Sequence, residues 1–180
     1  MHRSNLLQKL ATYHPAAPEE IDYKQRMIDF IQQHPECFER TLAIGHITAS
    51  TWLLNKDGSK ALLMHHTKLN RWVQLGGHCD GDWNALNVAI KEAQEESGIE
   101  DIASVHEDIF DIDIHLIPDN PREKAHYHYD VRFLLQVTGD ENVVQNRESK
   151  ELRWIPADAT MLPTHDLSVV RMFDKWLARK

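Results

Sequence analysis

Three glutamates fall close together in a segment with helical periodicity, where carboxylates can hold a divalent cation. Glu92, Glu95 and Glu96 share one helix face, because Glu96 lies about 40° and Glu95 about 60° from Glu92 around the axis. Like charges at this spacing destabilise a helix, and partial burial raises that cost unless a cation neutralises them. Mg²⁺ prefers carboxylate oxygens and keeps positions for water and phosphate. The pattern is therefore consistent with a magnesium site that bridges phosphate oxygens and activates water.

The same spacing also occurs on solvated acidic helix faces that bind no metal. An apolar stripe beside the glutamates is expected to face the core and consists of Leu86, Ala89, Ile90 and Ala93. On this interpretation the acids border the buried stripe instead of lying opposite it. Spacing alone leaves both interpretations open.

A second polar group recurs with a period of two in predicted strands near residues 109–117 and 125–137. If Pro118 to Glu123 form the turn, Ile117 pairs near Lys124 and His115 near His126. One face then carries Asp111, Asp113, His115, His126, His128 and Asp130. The opposite face, predicted to be core, carries Ile112, Ile114, Leu116, Tyr127, Tyr129 and Val131. The polar face fits a substrate pocket, a partly exposed surface or a transition-metal site, since imidazole suits Zn²⁺ or Ni²⁺.

The composition of the chain limits the kinds of molecule that it is expected to bind. The net charge of −8 over 180 residues argues against a nucleic-acid polymer, but it permits a small phosphorylated substrate because a bound cation reverses the local sign. No apolar run is long enough to span a bilayer, and the first residues do not resemble a secretory signal. Cys37 and Cys79 form neither a disulfide framework nor a paired metal motif. We therefore expect a cytoplasmic protein without a membrane partner.

Hydrophobic periodicity and turn residues predict the elements that must position these groups. Residues 1–38 are predicted to be a helical preface, with Pro18 at a helix start. A hairpin is predicted over 47–65, with Asn55 to Gly58 as its turn. The remaining elements are a strand over 72–75, a helix over 83–97 closed by Gly98, the two polar strands, a strand over 152–155 and a helix over 166–178. This mixed order predicts a mixed sheet covered by helices on both faces.

The segment from Gly77 to Ile99 resembles the Nudix box, G-x5-E-x7-R-E-U-x-E-E-x-G-U, where U is an aliphatic residue. The chain reads GHCDGDWNALNVAIKEAQEESGI over this span. The positions that match in register are Gly77, Glu92, Glu95, Glu96, Gly98 and Ile99. The resemblance covers roughly residues 40 to 178. We therefore predict an N-terminal helical extension at 1–38 and a Nudix domain at 39–180.

Three positions depart from the box. Trp83 stands where the box has its first Glu, Lys91 where it has Arg, and Ala93 where a larger aliphatic residue is usual. In the family that Glu and Arg chiefly hold the loop and orient the metal-binding acids. Because the Glu and the Arg are both replaced in this chain, neither leaves the other as an unpaired charge. Asp80 and Asp82 are candidates to replace the missing carboxylate from the same loop.

The resemblance implies an α/β (α+β) fold, namely a Nudix-type α/β/α sandwich with a mixed β-sheet and the N-terminal extension. It also implies Mg²⁺-dependent hydrolysis, with Mn²⁺ as a substitute, of a diphosphate linkage in a small molecule of the nucleoside diphosphate-X type. Glu92 and Glu96 are the expected direct ligands, the Gly77 carbonyl is a further one, and Glu95 is expected to hold a second ion or water. In this chemistry water attacks phosphorus while cations stabilise the charge on the phosphate oxygens.

Several further residues are candidates for catalysis, substrate contact or dimerisation. Family members often draw their general base from a later loop, where Glu148 and Glu151 are the candidates, and surface ion pairs explain either residue as well. The candidates for substrate contact are His78, Lys68, Arg71, His115, His126 and His128. The N-terminal helices are a candidate homodimer surface.

Two alternatives share the fold. A prenyl-diphosphate isomerase needs protonating groups, for which Cys79 with a glutamate is the candidate. A non-catalytic module that binds a nucleotide or a protein explains the departures at Trp83 and Lys91, whereas the three retained acids favour an enzyme.

Overall fold

The computed structural model describes residues 2–119, 121 and 124–179. The helices among them are α1 (Ser4–Thr12), α2 (Pro18–Gln33), α3 (Ala85–Ser97) and α4 (Leu167–Leu177), with a short 3-10 turn at Ala159–Met161. The strands are β1 (Gly45–Leu54), β2 (Lys60–His66), β3 (Arg71–Val73), β4 (Leu75–His78), β5 (Ile102–Ser104), β6 (Asp111–Ile117), β7 (His126–Val137) and β8 (Ser149–Pro156). No helix in this part of the chain is both long and apolar enough to cross a bilayer.

The predicted helix after the box loop is confirmed, with a later start. The Asn84 side chain accepts a hydrogen bond from the Asn87 N–H, so α3 begins at Ala85 and leaves Trp83 in the loop. Gly98 adopts a left-handed conformation with φ of 73° and ends the helix, as predicted. The strand predicted over 72–75 is instead two short strands on either side of Gln74. Strand β5 was not predicted.

The strands form one mixed sheet, which confirms the predicted fold class. Strand β1 pairs in parallel with β7 and antiparallel with β4 and β2. Strands β5 and β6 extend the sheet from β7, and β3 and β8 extend it from β2. The predicted hairpin between β1 and β2 is confined to Leu53–Leu62 and Leu54–Ala61, because β4 pairs with β1 over Thr48–Thr51.

Alternation along β1 sends side chains to two separate cores. Ile47, Ala49 and Leu53 belong to the core shared with α2 and α3. Trp52 faces the other way and packs against Phe173 and Trp176 of α4, with ring centroids 6.4 and 6.2 Å away. Each large buried apolar side chain contributes about 1.5–3 kcal/mol to folding. Helices therefore cover both faces of the sheet.

The N-terminal helices share the core of the sheet domain. Leu6 and Leu10 of α1 and Met27 and Ile31 of α2 are buried in the same cluster as the inward residues of β1. Phe30 stacks on Tyr129 of β7, with ring centroids 4.0 Å apart and planes 8° from parallel. The predicted boundary at residue 38 stays a prediction, and the two helices pack as part of the same hydrophobic core.

The polar hairpin keeps its predicted faces but not its predicted register. Residues Asn120, Arg122 and Glu123 of the predicted turn lie outside the described residues. His115 pairs with His128 instead of His126, and Ile117 pairs with His126. The register was therefore wrong by two residues. An even shift leaves every side chain on its predicted face.

Part of the predicted apolar face of this hairpin is not core. Ile112, Ile114 and Val131 are buried, whereas Leu116 and Tyr127 are exposed. The latter two are paired with each other near the turn of the hairpin. The prediction of a core position was wrong for this pair.

Candidate metal centre

The buried face of α3 is centred on Glu96. Only 4% of Glu96 is exposed, and Ala89 and Ala93 beside it are fully buried. Leu86 and Ile90, predicted to lie within the apolar stripe, are only half-buried. The apolar stripe was therefore predicted at the wrong angle around the axis of α3. Glu96 lies within it instead of bordering it.

Strand β4 binds the Glu96 carboxylate through its backbone. The Gly76 N–H donates a hydrogen bond of 2.8 Å to a carboxylate oxygen of Glu96. Burial raises the pKa of Glu96 to about 8, although the hydrogen bond from Gly76 acts in the opposite direction. The charges of Glu92 and Glu148 contribute to this raised pKa. A negative charge on Glu96 is therefore costly without a compensating cation.

Glu92 lies against the backbone of Gly77. A Cβ atom at position 77 would stand 2.6 Å from the carboxyl carbon of Glu92, well inside normal contact distance. Glycine at this position is what allows the loop and the carboxylate to approach each other. Burial and the neighbouring Glu95 raise the pKa of Glu92.

Neither Glu92 nor Glu96 has a cationic partner in direct contact among the described residues. Within residues 2–119, 121 and 124–179, no lysine, arginine or histidine forms an ion pair with Glu92 or Glu96. Lys91 pairs at 3.6 Å with Glu95, and both side chains are exposed. Carboxylate oxygens that are desolvated, adjacent and unpaired are the donor set that a hard divalent cation prefers. The residues therefore fit a magnesium ion.

The loop before β8 brings Glu148 towards the acids. The Val144 N–H donates to the Ser97 carbonyl at 2.7 Å, and the Asn146 amide donates to the Glu95 carbonyl at 3.2 Å. The Asn146 side chain also accepts a hydrogen bond of 2.8 Å from the Glu148 N–H. These contacts fix the loop at the end of α3. The charge of Glu148 accordingly raises the pKa of both Glu92 and Glu96.

Other predicted residues make contacts away from these acids. Glu151 pairs with Arg153 through hydrogen bonds of 2.6 and 2.8 Å. Arg71 pairs at 3.5 Å with Asp166, which caps α4. Lys68 lies in the turn after β2, where its backbone N–H donates a hydrogen bond of 3.1 Å to Nδ1 of the His66 ring.

Neither candidate for the missing box carboxylate reaches the acids. Asp80 forms an ion pair with Arg40. Asp82 accepts a hydrogen bond of 2.9 Å from the Asn84 N–H at the start of α3. Trp83 is exposed, and Lys91 pairs with Glu95.

The predicted histidines gather on the opposite side of β4. Gly77 faces α3, so His78, the next residue along the strand, faces the other way. The His78 ring lies 5.0 Å from His46 and 5.1 Å from His128, between centroids. His126 lies 5.2 Å from His128, and His115 lies 5.4 Å from it. The structure brings these four predicted histidines together but separates them from the glutamates of α3.

His46 was missed by the sequence analysis. It is only 2% exposed and lies in β1 directly beside His128, through the parallel pairing of β1 with β7. Burial, together with the neighbouring His78 and His126, lowers the pKa of His46 to about 4. The signal that reveals His46 is this pairing, which joins residues 82 positions apart.

The aspartates of the polar face surround a buried arginine. Arg132 is fully enclosed and contacts Asp130 at 2.7 Å, Asp111 at 3.0 Å and Asp113 at 3.4 Å. From α4, Arg171 pairs with Asp111 and Asp113, and Lys175 pairs with Asp111. Burial opposes ionisation of Asp113, but Arg132 and His115 lower its pKa well below the usual range. This part of the face is a buried ionic cluster that ties α4 to the sheet.

The family of the chain follows from a match to a sequence model. The model of the NUDIX domain matches residues 45–176. This chain therefore belongs to the Nudix family, and family membership supports hydrolysis of a pyrophosphate bond. No curated protein sequence matches the chain significantly.

Solved Nudix structures have the same fold at low sequence identity. An Ap4A hydrolase from C. elegans is 19% identical, with a TM-score of 0.55, over 74% of this chain and 98% of that chain. A dihydroneopterin triphosphate pyrophosphohydrolase from E. coli is 14% identical, with a TM-score of 0.57, over 74% and 96%. An ADP-ribose pyrophosphatase from Streptococcus suis is 21% identical, with a TM-score of 0.52, over 74% and 90%. These similarities concern the fold.

Proposed function

We propose that this protein hydrolyses a diphosphate linkage in a small molecule of the nucleoside diphosphate-X type, using Mg²⁺ or, in its place, Mn²⁺. The observation that carries the proposal is the pair Glu92 and Glu96. Both carboxyl groups are desolvated, both have a raised pKa, and neither forms an ion pair with a cationic side chain in the described part of the chain. Two such groups side by side favour a bound divalent cation.

The acids and the two glycines would have different roles in this reaction. Glu92 and Glu96, with the Gly77 carbonyl, would hold the ion, and Glu95 at the exposed edge would hold a second ion or a water. The bound ion would offset the negative charge that develops on the phosphate oxygens. Gly76 orients Glu96 through its backbone N–H, and Gly77 leaves room for Glu92. No arginine fork is needed to hold either acid.

We propose Glu148 as the general base that accepts a proton from the attacking water. Its charge acts on Glu92 and Glu96, and its loop is anchored to α3 through Asn146. Glu151 is the weaker candidate because Arg153 occupies its carboxylate.

The alternative functions have less support. An isomerase would need Cys79 to exchange a proton with substrate, but Cys79 is buried in the main core and burial raises the pKa of its thiol. A non-catalytic module has no need for two desolvated carboxylates without a cationic partner. A homodimer through α1 and α2 and a cytoplasmic location stay predictions from the sequence.

A screen of diphosphate compounds tests the proposal. Purified protein would be incubated with nucleotide sugars, dinucleotides, ADP-ribose and non-nucleotide diphosphates, each with Mg²⁺, Mn²⁺ or a chelator. Release of phosphate and nucleotide would be measured. We expect cleavage only with a divalent cation, and a loss of at least about 100-fold in Glu96→Gln. Glu36→Gln, a matched variant at an exposed glutamate outside α3 and its loop, should retain full activity.

The other outcomes separate the alternatives. Unchanged activity in Glu96→Gln would overturn the metal assignment. Conversion of a prenyl diphosphate without phosphate release would favour the isomerase. Binding of Mg²⁺ and a nucleotide with no product from any compound would favour the non-catalytic module.

A further inference from the structure

Three histidines from three different strands meet at one end of the sheet. His46 lies in β1, His78 in β4 and His128 in β7. One ring nitrogen of each lies within 4.8 Å of the corresponding atoms of the other two. We propose that these three histidines bind one transition-metal ion of the Zn²⁺ class, at a site separate from the carboxylates of α3.

The backbone register holds the three side chains together. His46 and His128 are direct partners in the parallel pair of β1 and β7. His78 is the partner of Thr48, two residues along β1 from His46, and therefore projects from the same face. The cluster thus rests on three paired strands of the central sheet, not on mobile loops.

His46 is the observation that points to a ligand. Only 2% of the residue is exposed, and within the described part of the chain neither ring nitrogen has a hydrogen-bond partner. Buried polar atoms are nearly always satisfied, and an unsatisfied one costs folding free energy. A bond from one ring nitrogen to a metal ion would satisfy that nitrogen and would account for a buried histidine surrounded by the rings of His78, His126 and His128.

The spacing of the nitrogens suits a tetrahedral ion. Zn–N bonds of about 2.0–2.1 Å require ligand nitrogens about 3.3–3.4 Å apart. The three nitrogens therefore need to approach one another by at most about 1.5 Å, the difference between 4.8 and 3.3 Å, which side-chain rotation can provide. The Nε2 atoms of His126 and His128 share a hydrogen bond of 3.3 Å, and an ion bound by both nitrogens would take the place of the proton between them.

His126 is placed to add a fourth nitrogen. Its Nδ1 lies 2.7 Å from the Lys124 carbonyl, which can only accept a hydrogen bond, so Nδ1 carries the proton. In the neutral ring Nε2 then keeps its lone pair and faces His128. A backbone carbonyl that fixes the tautomer of a histidine is the usual companion of a metal-binding imidazole.

The histidine site and the site proposed at α3 differ in the type of ligand atom that they offer. The histidine site offers only imidazole nitrogen, which suits Zn²⁺, Ni²⁺ or Cu²⁺ and not Mg²⁺. The two sites lie on opposite faces of β4, because Gly77 faces Glu92 while His78 faces His46 and His128. A metal on His78 would also fix the end of the strand that carries Gly77.

Metal binding by protein without a histidine tag tests the proposal. The chain would be stripped with a chelator, and binding of Zn²⁺ would be measured by equilibrium dialysis with elemental analysis, in the presence of excess Mg²⁺. Co²⁺ would serve as a spectroscopic substitute, because its visible absorption reports tetrahedral nitrogen coordination. The variants are His78→Gln and His128→Gln, with His14→Gln as the matched control at an exposed, distant histidine. Glu96→Gln distinguishes this site from the carboxylate site.

We expect one tightly bound Zn²⁺ per chain, insensitive to Mg²⁺ and to Glu96→Gln. Each cluster variant should weaken binding at least about tenfold and remove the Co²⁺ absorption, whereas His14→Gln should change neither. Circular dichroism would verify that both variants fold, as expected for substitutions at two half-buried side chains. Absence of bound Zn²⁺ in the wild-type protein, or binding that Glu96→Gln abolishes and His78→Gln leaves intact, would overturn the proposal. Neither result would affect the proposed hydrolysis, which is read from product release.

Discussion

The Glu96 carboxylate accepts a hydrogen bond of 2.8 Å from the Gly76 N–H, across the contact between α3 and β4. This bond connects the helix that carries the acids to the strand that enters their loop. Glu96 is nonetheless deeply buried, and within the described residues it has no cationic partner. The contact therefore positions a carboxylate at a cost to stability. Such a cost is expected where a residue is retained for binding and not for folding.

The first prediction concerns the stability of metal-free protein. Glu96→Gln removes the buried charge while its amide oxygen can still accept the Gly76 hydrogen bond. We expect the free energy of unfolding without metal to rise by about 1 kcal/mol or more at pH 8, even though activity is lost. Urea unfolding in a chelator measures this, with Glu36→Gln as the control that should change nothing. A clear loss of stability in Glu96→Gln would contradict this account of the site.

The second prediction concerns Gly77. A methyl group at this position meets the Glu92 carboxylate at 2.6 Å, so Gly77→Ala should displace Glu92 or the loop. We expect activity and Mg²⁺ affinity to fall at least about tenfold, with destabilisation of about 1–3 kcal/mol. Activity assays, magnesium titration and urea unfolding measure these effects.

A double variant separates the steric effect of Gly77→Ala from a general loss of fold. In Gly77→Ala/Glu92→Ala the clashing carboxylate is absent, so the two stability effects should not add. The double variant should regain stability relative to Gly77→Ala and remain inactive. Strict additivity would mean that the Gly77 methyl group clashes with something other than Glu92.

The third prediction compares two glutamates of similar sequence position. Glu148→Gln should reduce turnover about 10²–10⁴-fold with little change in KM, as expected for loss of a general base. Glu151→Gln should reduce it less than about threefold, because Glu151 binds Arg153 and not the acids. Steady-state kinetics at saturating Mg²⁺ would decide between them. Equal losses in both variants, or a larger loss in Glu151→Gln, would contradict the choice of Glu148.

Local patterns predicted the parts of this molecule that local chemistry determines. The helix over the box ends at Gly98 as predicted, because a left-handed residue there closes it. The alternating face of β6 and β7 was also predicted, since an even error in register does not change which side a residue faces. Helical spacing placed the three acids on one side of α3, but it did not show that Glu96 is buried.

Long-range pairing determined what the sequence did not reveal. The parallel alignment of β1 with β7 joins distant segments, and without it His46 is one histidine among twelve. Arg132 occurs within the predicted strand, and only the three surrounding aspartates and α4 make it a buried cation. The burial of Glu96 likewise depends on how α3 docks against β4. Hydrophobic periodicity does not predict how α3 is oriented against β4, because it assigns a charged residue to the solvent-facing side of a helix by default.

The last prediction concerns acid stability and the cluster around Arg132. The pKa of Asp113 is lowered in the folded state, so the unfolded chain binds more protons as the pH falls below about 4. Its contribution is therefore complete above the unfolded pKa of 3.8 and is lost progressively as the pH falls towards the lowered folded value. Asp113→Asn should lose about 1–3 kcal/mol at pH 7 and show a shallower loss between pH 4 and 3, measured by urea unfolding. Asp22→Asn, which affects only an exposed pair with Arg26, should match the wild-type protein within about 0.5 kcal/mol at both pH values. If Asp113→Asn were as acid-sensitive as the wild type, the acid lability would have to arise from other carboxylates.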